Sequence, residues 1–423
     1  MSVSLEAPAV GLDSLTQIAS ALPPTPLRAA GLEAFRRSGI PTTRHEEWKY
    51  TSLRELAETS FVAASATDVA QLDLDAWLIA DGPRIVLVDG QIAPEWCRLG
   101  IPGLDVRFGD RLTPTDRERI GSVAAIDATP FSALNAACHA EAVMIELARG
   151  AVIEPAIEIL HVTIAGAEAV AAFPRLFILA HSEAEATIVE TYATIGEGVT
   201  FTCAVTEGTV AANAHVEHVK VQRESEQALH IALTEIRQEG DSSLNTFSVT
   251  YGGKLTRNDL NIFLNGSNLH CRMDGVVVQN GGQVCDNHTR LDHAFPHCDS
   301  FEVYKHVLDD QAMAVFNGKI FVHLDAQKTD AKQTNQAILL SPSATMNSKP
   351  QLEIFADDVK CTHGATVGQL RSDALFYLRS RGIDETQARA ILVYAFAAEV
   401  LEKIECEPVR NELERLLYEK LQA

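Results

Sequence analysis

Val216-Glu217-His218-Val219-Lys220-Val221 and Ala228-Leu229-His230-Ile231-Ala232-Leu233 are short runs in which aliphatic residues recur without a helical 3.6-residue period. Similar runs stand on both sides. Leu176-Phe177-Ile178-Leu179 and Ala186-Thr187-Ile188-Val189 precede them. Thr246-Phe247-Ser248-Val249-Thr250, Leu260-Asn261-Ile262-Phe263-Leu264 and Gly275-Val276-Val277-Val278 follow. Gly, Asn, Asp or charged residues punctuate the runs at intervals of roughly 10–15 residues, the mark of an all-β chain. The texture holds from about Met144 to Ile354, far beyond a sandwich of about 100 residues. A parallel β-helix accommodates this length, because each coil stacks on the last and the core grows along an axis. The pattern therefore predicts a mainly β protein built on a parallel β-helix, with a barrel or double sandwich as the alternatives.

The flanks read differently. Residues 1–60 form an N-terminal helical region: Ser14 caps a helix reaching Leu22 before Pro23-Pro24, and Leu27–Arg37 forms a second that ends at Ser38-Gly39. Arg44-His45-Glu46-Glu47-Trp48-Lys49-Tyr50-Thr51 follows. It reads either as a catalytic His45 with Glu46 and Glu47 or as a solvated connector anchored by Trp48 and Tyr50, and the connector is the reading adopted. Residues 61–143 are mixed α/β. Arg84–Gly90 suits a buried strand entering a turn, and residues 130–140 suit a helix carrying a core Cys138 beside His139. The β-helix core is placed at 144–363 and a C-terminal helical domain at 364–423. There Ser372 caps Ala374–Arg379, which Gly382 closes, and Asp384 with Gln387 opens a second helix. The second helix presents Ala388, Ile391, Leu392, Ala395 and Val400. A third starts at Pro408, with Leu413, Leu416, Leu417 and Leu421 as its apolar stripe.

A chain of 423 residues with net charge -22 is a poor binder of nucleic acid or anionic membrane. No apolar run reaches the roughly 18–20 residues that span a bilayer. Met1–Glu6 lacks the basic start and apolar centre of a secretion signal. Eight cysteines are scattered singly with no C-x-x-C pair, which fits a reducing cytosol. The expectation is a cytoplasmic protein without nucleic-acid or membrane partners. A phosphate loop is missing too: Gly252-Gly253-Lys254 has Ser248 ahead and Leu255 behind, and Asn317-Gly318-Lys319-Ile320 lacks the hydroxyl that would hold Mg²⁺. No dinucleotide loop and no nucleophile elbow is present.

Two stretches offer metal-binding residue types. Cys285-Asp286-Asn287-His288-Thr289-Arg290-Leu291-Asp292-His293 continues through His297-Cys298-Asp299 and is the denser. Strand parity divides it, since Cys285 and His293 share one face and His288 takes the other, while Pro296 breaks the run. The second is Cys361-Thr362-His363. In an extended strand Cys361 and His363 point the same way with Cα atoms about 7 Å apart. A buried small hydrophobe is the ordinary fate of a free cysteine. The histidine two residues on, at a structural junction, speaks for half of a metal or cluster site. An iron–sulfur cluster usually takes four ligands, so the rest would come from another chain.

The run from Asp286 to about Glu402 resembles the SufB/SufD scaffold family of iron–sulfur cluster assembly. The residues that carry the resemblance are Asp286-Asn287-His288-Thr289, His297-Cys298-Asp299-Ser300, Val315-Phe316-Asn317-Gly318-Lys319-Ile320 and Ala326-Gln327-Lys328-Thr329-Asp330-Ala331. Gln333-Thr334-Asn335-Gln336, Lys349-Pro350-Gln351-Leu352-Glu353-Ile354, Val359–Gly368 and Leu375–Ile383 complete it, and Arg44–Leu53 resembles the family's N-terminal segment. Gly364 and the chain length resemble the SufD side of the family. The resemblance implies a right-handed parallel β-helix flanked by helical regions. It implies a non-enzymatic subunit that pairs with a SufB-like partner through the β-helix core and docks a SufC-like ATPase on its C-terminal helices. Cys361 and His363 fall on family positions linked to a transient iron or cluster shared with the partner. A flavin would belong to the complex and not to this chain, and a homodimer is an option for the isolated subunit. Two other readings are a β-helix carbohydrate lyase or hydrolase using Asp309-Asp310 and Asp357-Asp358, and a homodimer that stores iron alone.

Overall fold

The computed structural model describes residues 10–64 and 72–422, so Met1–Glu6 lies outside the described residues. The alternating runs become strands of two long sheets. One follows Arg175–Ala180, Thr200–Val210, Ala228–Glu239, Leu255–Asn265, Val284–His293, Met313–Val322 and Thr345–Ser348. The other follows Val152–Ile164, Glu185–Ile195, His215–Arg223, Ser243–Thr250, His270–Gln279, Asp299–Leu308, Asp330–Leu339 and Lys360–Gly368. The chain visits the two sheets in turn, so hydrogen-bonded neighbours are a full coil apart: Leu255 pairs in parallel with Val284, and Val284 with Met313. That is a β-solenoid of about eight turns, in place of a barrel or sandwich.

A repeated corner sets the coil. Glu183, Asn213, Asp241, Asn268, His297 and Lys328 all adopt positive φ, each two residues before a strand of the second sheet. Asn, Asp and His tolerate this left-handed conformation better than other non-glycine residues. His297 is thus a corner residue of the solenoid.

Alternation is inverted in the middle coils. Val219 and Val221 would be the inner face of a strand whose other face met water. Instead they join Val189, Phe247, Val249 and Val276 in an apolar layer under the C-terminal helices, with Val393, Ala397, Leu413 and Leu417. Lys220, between the two valines, turns inward to the facing sheet, where its Nζ lies 2.7 Å from Asn258 Oδ1 and 2.9 Å from His230 Nε2. The first sheet is covered in the same way by N-terminal elements: Leu15, Phe35, Trp48 and Phe131 pack on Phe201, Cys203, Ile231 and Leu255. Each such aliphatic or aromatic side chain contributes about 1.5–3 kcal/mol on burial, so both helical regions are held by layers as apolar as a core.

The flanking elements refine several expectations. The first helix is Val10–Ala21, and Ser14 sits inside it, its hydroxyl donating to Gly11 O and accepting from Phe61 N. Pro26–Ser38 is capped by Thr25 and ended by Gly39 at φ 66°. Arg84–Val88 and Pro130–Cys138 form as predicted, with Cys138 buried. The boundary read at Gly364 lies within the last strand, and the tail helices are Ser372–Ser380, Glu385–Leu401 and Glu407–Gln422. Arg371, not Ser372, occupies the cap position of the first. Asp384 caps the second through Gln387 N at 3.0 Å. That helix is apolar nearly all round, so docking chooses its inner stripe: Val393, Ala397 and Val400 are buried while Ile391 and Ala395 face out. No helix among the described residues is long and apolar enough to cross a membrane.

Candidate functional site

Cys361 and His363 lie on Lys360–Gly368, the last strand of the second sheet, which among the described residues pairs on one side only. Cys361 is in register with Ala331 and His363 with Gln333. Following the register inward, Cys361 ends the column Leu244, Cys271, Ser300, Ala331, and His363 ends Thr246, Met273, Glu302, Gln333. Every other member of both columns is buried. The two side chains therefore share the face that continues the solenoid interior, as strand parity requires, at the point where that interior meets the open end. Cys361 is half-buried against the apolar cluster of Ile320, Val322, Ala326, Ala331 and Ala356, and His363 is exposed.

Burial pushes the Cys361 thiol up, the backbone contact at Ala331 opposes it, and the Asp330 charge adds to it. A thiol in such surroundings stays protonated at neutral pH. An imidazole that readies a thiolate in advance is not what this geometry provides. Deprotonation would accompany capture of a cation, since metal binding to a thiol releases its proton.

The denser stretch disperses. Cys285 faces inward, its thiol pushed up to about 12 by burial. His293 also faces inward, 3.0 Å from Ser300 Oγ. Asp286 and His288 face outward beneath the N-terminal segment, and Cys298 Sγ donates to Gly266 O. Among the described residues no group of three His, Cys, Asp or Glu side chains is arranged to hold a metal ion. The acidic pairs offered for a polysaccharide enzyme sit at coil corners: Asp310 is a turn residue, Asp357 and Asp358 are bend residues, and Asp358 pairs with Lys328.

Two constellations escaped the sequence reading. The Arg44–Thr51 segment is a polar strap. Thr51 Oγ1 donates to Asp286 Oδ2 at 2.5 Å, Arg257 Nη1 donates to Asp286 Oδ2 and to Glu47 O, and its guanidinium lies over the Trp48 ring. His288 Nε2 is 3.0 Å from Asp286 Oδ1, and its Nδ1 is 3.4 Å from Glu47. Trp48 anchors the strap as expected, Tyr50 is exposed, and Glu47, itself largely solvated, reaches His288. The second is a charged interior. Fully buried Glu190 has Tyr192 Oη at 2.5 Å, His218 Nε2 at 2.8 Å, Thr206 Oγ1 at 2.9 Å and His161 Nε2 at 3.5 Å. Hydrophilic letters inside alternating runs are the only signal for it, and alternation sends them to the wrong face.

Known proteins match this arrangement. A family model described as the SufBD core domain of SUF-system FeS cluster assembly matches residues 162–396, which spans most of the solenoid. The chain is 35% identical to the iron–sulfur cluster assembly protein SufD of Escherichia coli, over 90% of this chain and 89% of that one. It is 33% identical to an iron–sulfur cluster assembly SufBD family protein of Synechocystis, over 86% and 84%. A chloroplastic protein of Arabidopsis thaliana, ABCI7, is 36% identical over 56% of this chain and 51% of its own. With a shared core domain and near full-length relatives, the chain belongs to the SufBD family of iron–sulfur cluster assembly proteins.

Proposed function

We propose that the chain is a SufD-type accessory subunit of cytoplasmic iron–sulfur cluster assembly, without an enzymatic step of its own. The observation that carries this reading is the open end of the solenoid, where Cys361 and His363 stand together on the inner face of a strand with a free edge. Two donors make an incomplete site, and an unpaired edge is a template for pairing with another chain. A SufB-like subunit joined end to end through the β-helix core would complete both. In that interface Cys361, as thiolate, and His363, through its free ring nitrogen, would hold iron or a nascent cluster as cargo. The thiol proton leaves as the iron–sulfur bond forms.

The exposed first tail helix supports a second contact. None of its residues is buried, and Phe376 and Tyr377 are 74% and 57% exposed, which suits docking of a SufC-like ATPase. The same free edge allows a homodimer when partners are missing. Any flavin would sit elsewhere in the complex.

The test is anaerobic reconstitution with SufB-like and SufC-like partners, reading iron, sulfide and stoichiometry. Cys361→Ser and His363→Ala should each assemble with partners normally and lose most of the cluster yield. Wild-type yield from both variants would remove these residues from the site.

A further inference from the structure

The family-like motifs put several residues inside the last coils that cluster capture, as proposed above, does not use. Thr289, Gly318, Gln333 and Asn335 all come from those motifs; Thr289 and Gln333 converge on one buried carboxyl, Glu302, and Gly318 lies against the Gln333 amide. Glu302 is 2% exposed and Gln333 2% exposed. Gln333 Nε2 donates to Glu302 Oε2 at 2.7 Å. The Thr289 hydroxyl on the facing sheet approaches the same carboxyl without closing a well-formed hydrogen bond. Gly318 pairs with Thr289 in register, and a Cβ there would sit 2.3 Å from Gln333 Nε2, so glycine is what lets the amide lie in this place.

With its nitrogen committed inward, the Gln333 amide has its oxygen left over. Gln333 Oε1 is buried and has no hydrogen-bond partner. A buried carbonyl oxygen without a donor costs about 1–3 kcal/mol, so such an atom calls for a partner. The next residue in register on the same inward face is His363. Histidines that bind metals almost always give their other ring N–H to a carbonyl or carboxylate, which fixes the tautomer and turns the ligating nitrogen toward the metal.

We propose that Glu302 and Gln333 form a positioning relay for His363: Glu302 orients the Gln333 amide, and Gln333 Oε1 accepts the N–H of one ring nitrogen, leaving the other free toward the open end. The inference rests on His363 being a ligand of the assembly site. Gly318 and Glu302 are then needed for aim, and neither touches the cargo.

The relay is tested on the metal-free full-length chain, with ¹⁵N-labelled histidine and His363 assigned by its loss in His363→Ala. In the wild type His363 should favour one tautomer about five-fold, the size that one net hydrogen bond supplies. Gln333→Leu, and Glu302→Leu, which removes the acceptor of the Gln333 amide, should both bring the ratio back to that of a free imidazole. A free-imidazole ratio already present in the wild type would overturn the relay, and that measurement needs no variant to fold. Preserved preference in a folded Gln333→Leu would overturn it as well. These readings use no iron. Loss of the tautomer preference alongside normal cluster yield from His363→Ala would instead point to a relay that exists without the proposed function.

Discussion

Glu190 and Glu302 are both wholly buried carboxyls inside one sheet of one solenoid, and they end in different charge states. Burial alone would raise both. Around Glu190 the imidazoles of His218 and His161 override it and hold the carboxyl well below its ordinary range. Glu302 has only the Gln333 amide and the Thr289 hydroxyl, with the Asp274 charge adding to burial, and it is pushed up to about 7. His293 and His306, in the last coils, are driven down to about 4 by burial. Lys220 in the middle coils keeps a value of about 8 despite complete burial, because the charges of Glu190 and Glu224 oppose the desolvation. Around Glu190 the interior is therefore ionised and internally paired, and around Glu302, nearer the end that carries Cys361 and His363, it is less charged.

The largest expected effect breaks that contrast directly. Glu190→Leu removes the acceptor shared by Tyr192, Thr206 and His218 and one of the charges that oppose the desolvation of Lys220, a loss of about 3–5 kcal/mol. Glu302→Leu removes one hydrogen bond from a carboxyl whose charged form burial already disfavours and should cost about 1–3 kcal/mol. Urea unfolding of the two variants measures the difference. Equal losses would mean that the two carboxyls share one charge state.

Acid titration separates the regions next. His293 and His306 have depressed folded values, so their contribution is present above about pH 6.5 and is lost as the pH falls toward 4. Glu302 runs the other way. Its raised value favours the fold below about 4.5 and is lost as the pH rises through 7, which partly offsets the histidines on acidification. Glu190 gives way only at still lower pH. The wild type should lose about 2–3 kcal/mol between pH 6.5 and 4. His306→Leu should show a visibly shallower slope over that window, read from urea midpoints at each pH. An unchanged slope would place the acid-sensitive groups elsewhere.

The same contrast explains what could be read from the letters. Every alternating run quoted at the outset lies within a strand, since β-branched runs between turn residues identify strands whichever face they bury. The choice of face was out of reach. In Val219-Lys220-Val221 the rule that apolar residues point inward fails, because helices from the far C-terminus cover the outer face and release the inner one for polar residues. At Cys361 and His363 the two-residue alternation holds, because the last strand is largely exposed and no apolar layer like that over Val219 and Val221 reverses its faces among the described residues. The strap was missed for a third reason. Glu47 and Asp286 are far apart in sequence, and neither shows its partner locally.

The smallest expected effect completes the comparison. Cys361 is half-buried on a strand with one neighbour, and its thiol makes no side-chain hydrogen bond that holds another element in place. Cys361→Ser should shift the urea midpoint by about 0.5 kcal/mol or less, as substitutions outside a packed core do. Cluster yield in the reconstituted complex should nonetheless collapse. A stability loss comparable to that of Glu190→Leu would make the terminal cysteine part of the core, and lost yield could then be an unfolding effect. A small loss with collapsed yield would instead separate the two ends of the axis: buried charge in the middle specifies the fold, and the exposed last coil is left free to bind.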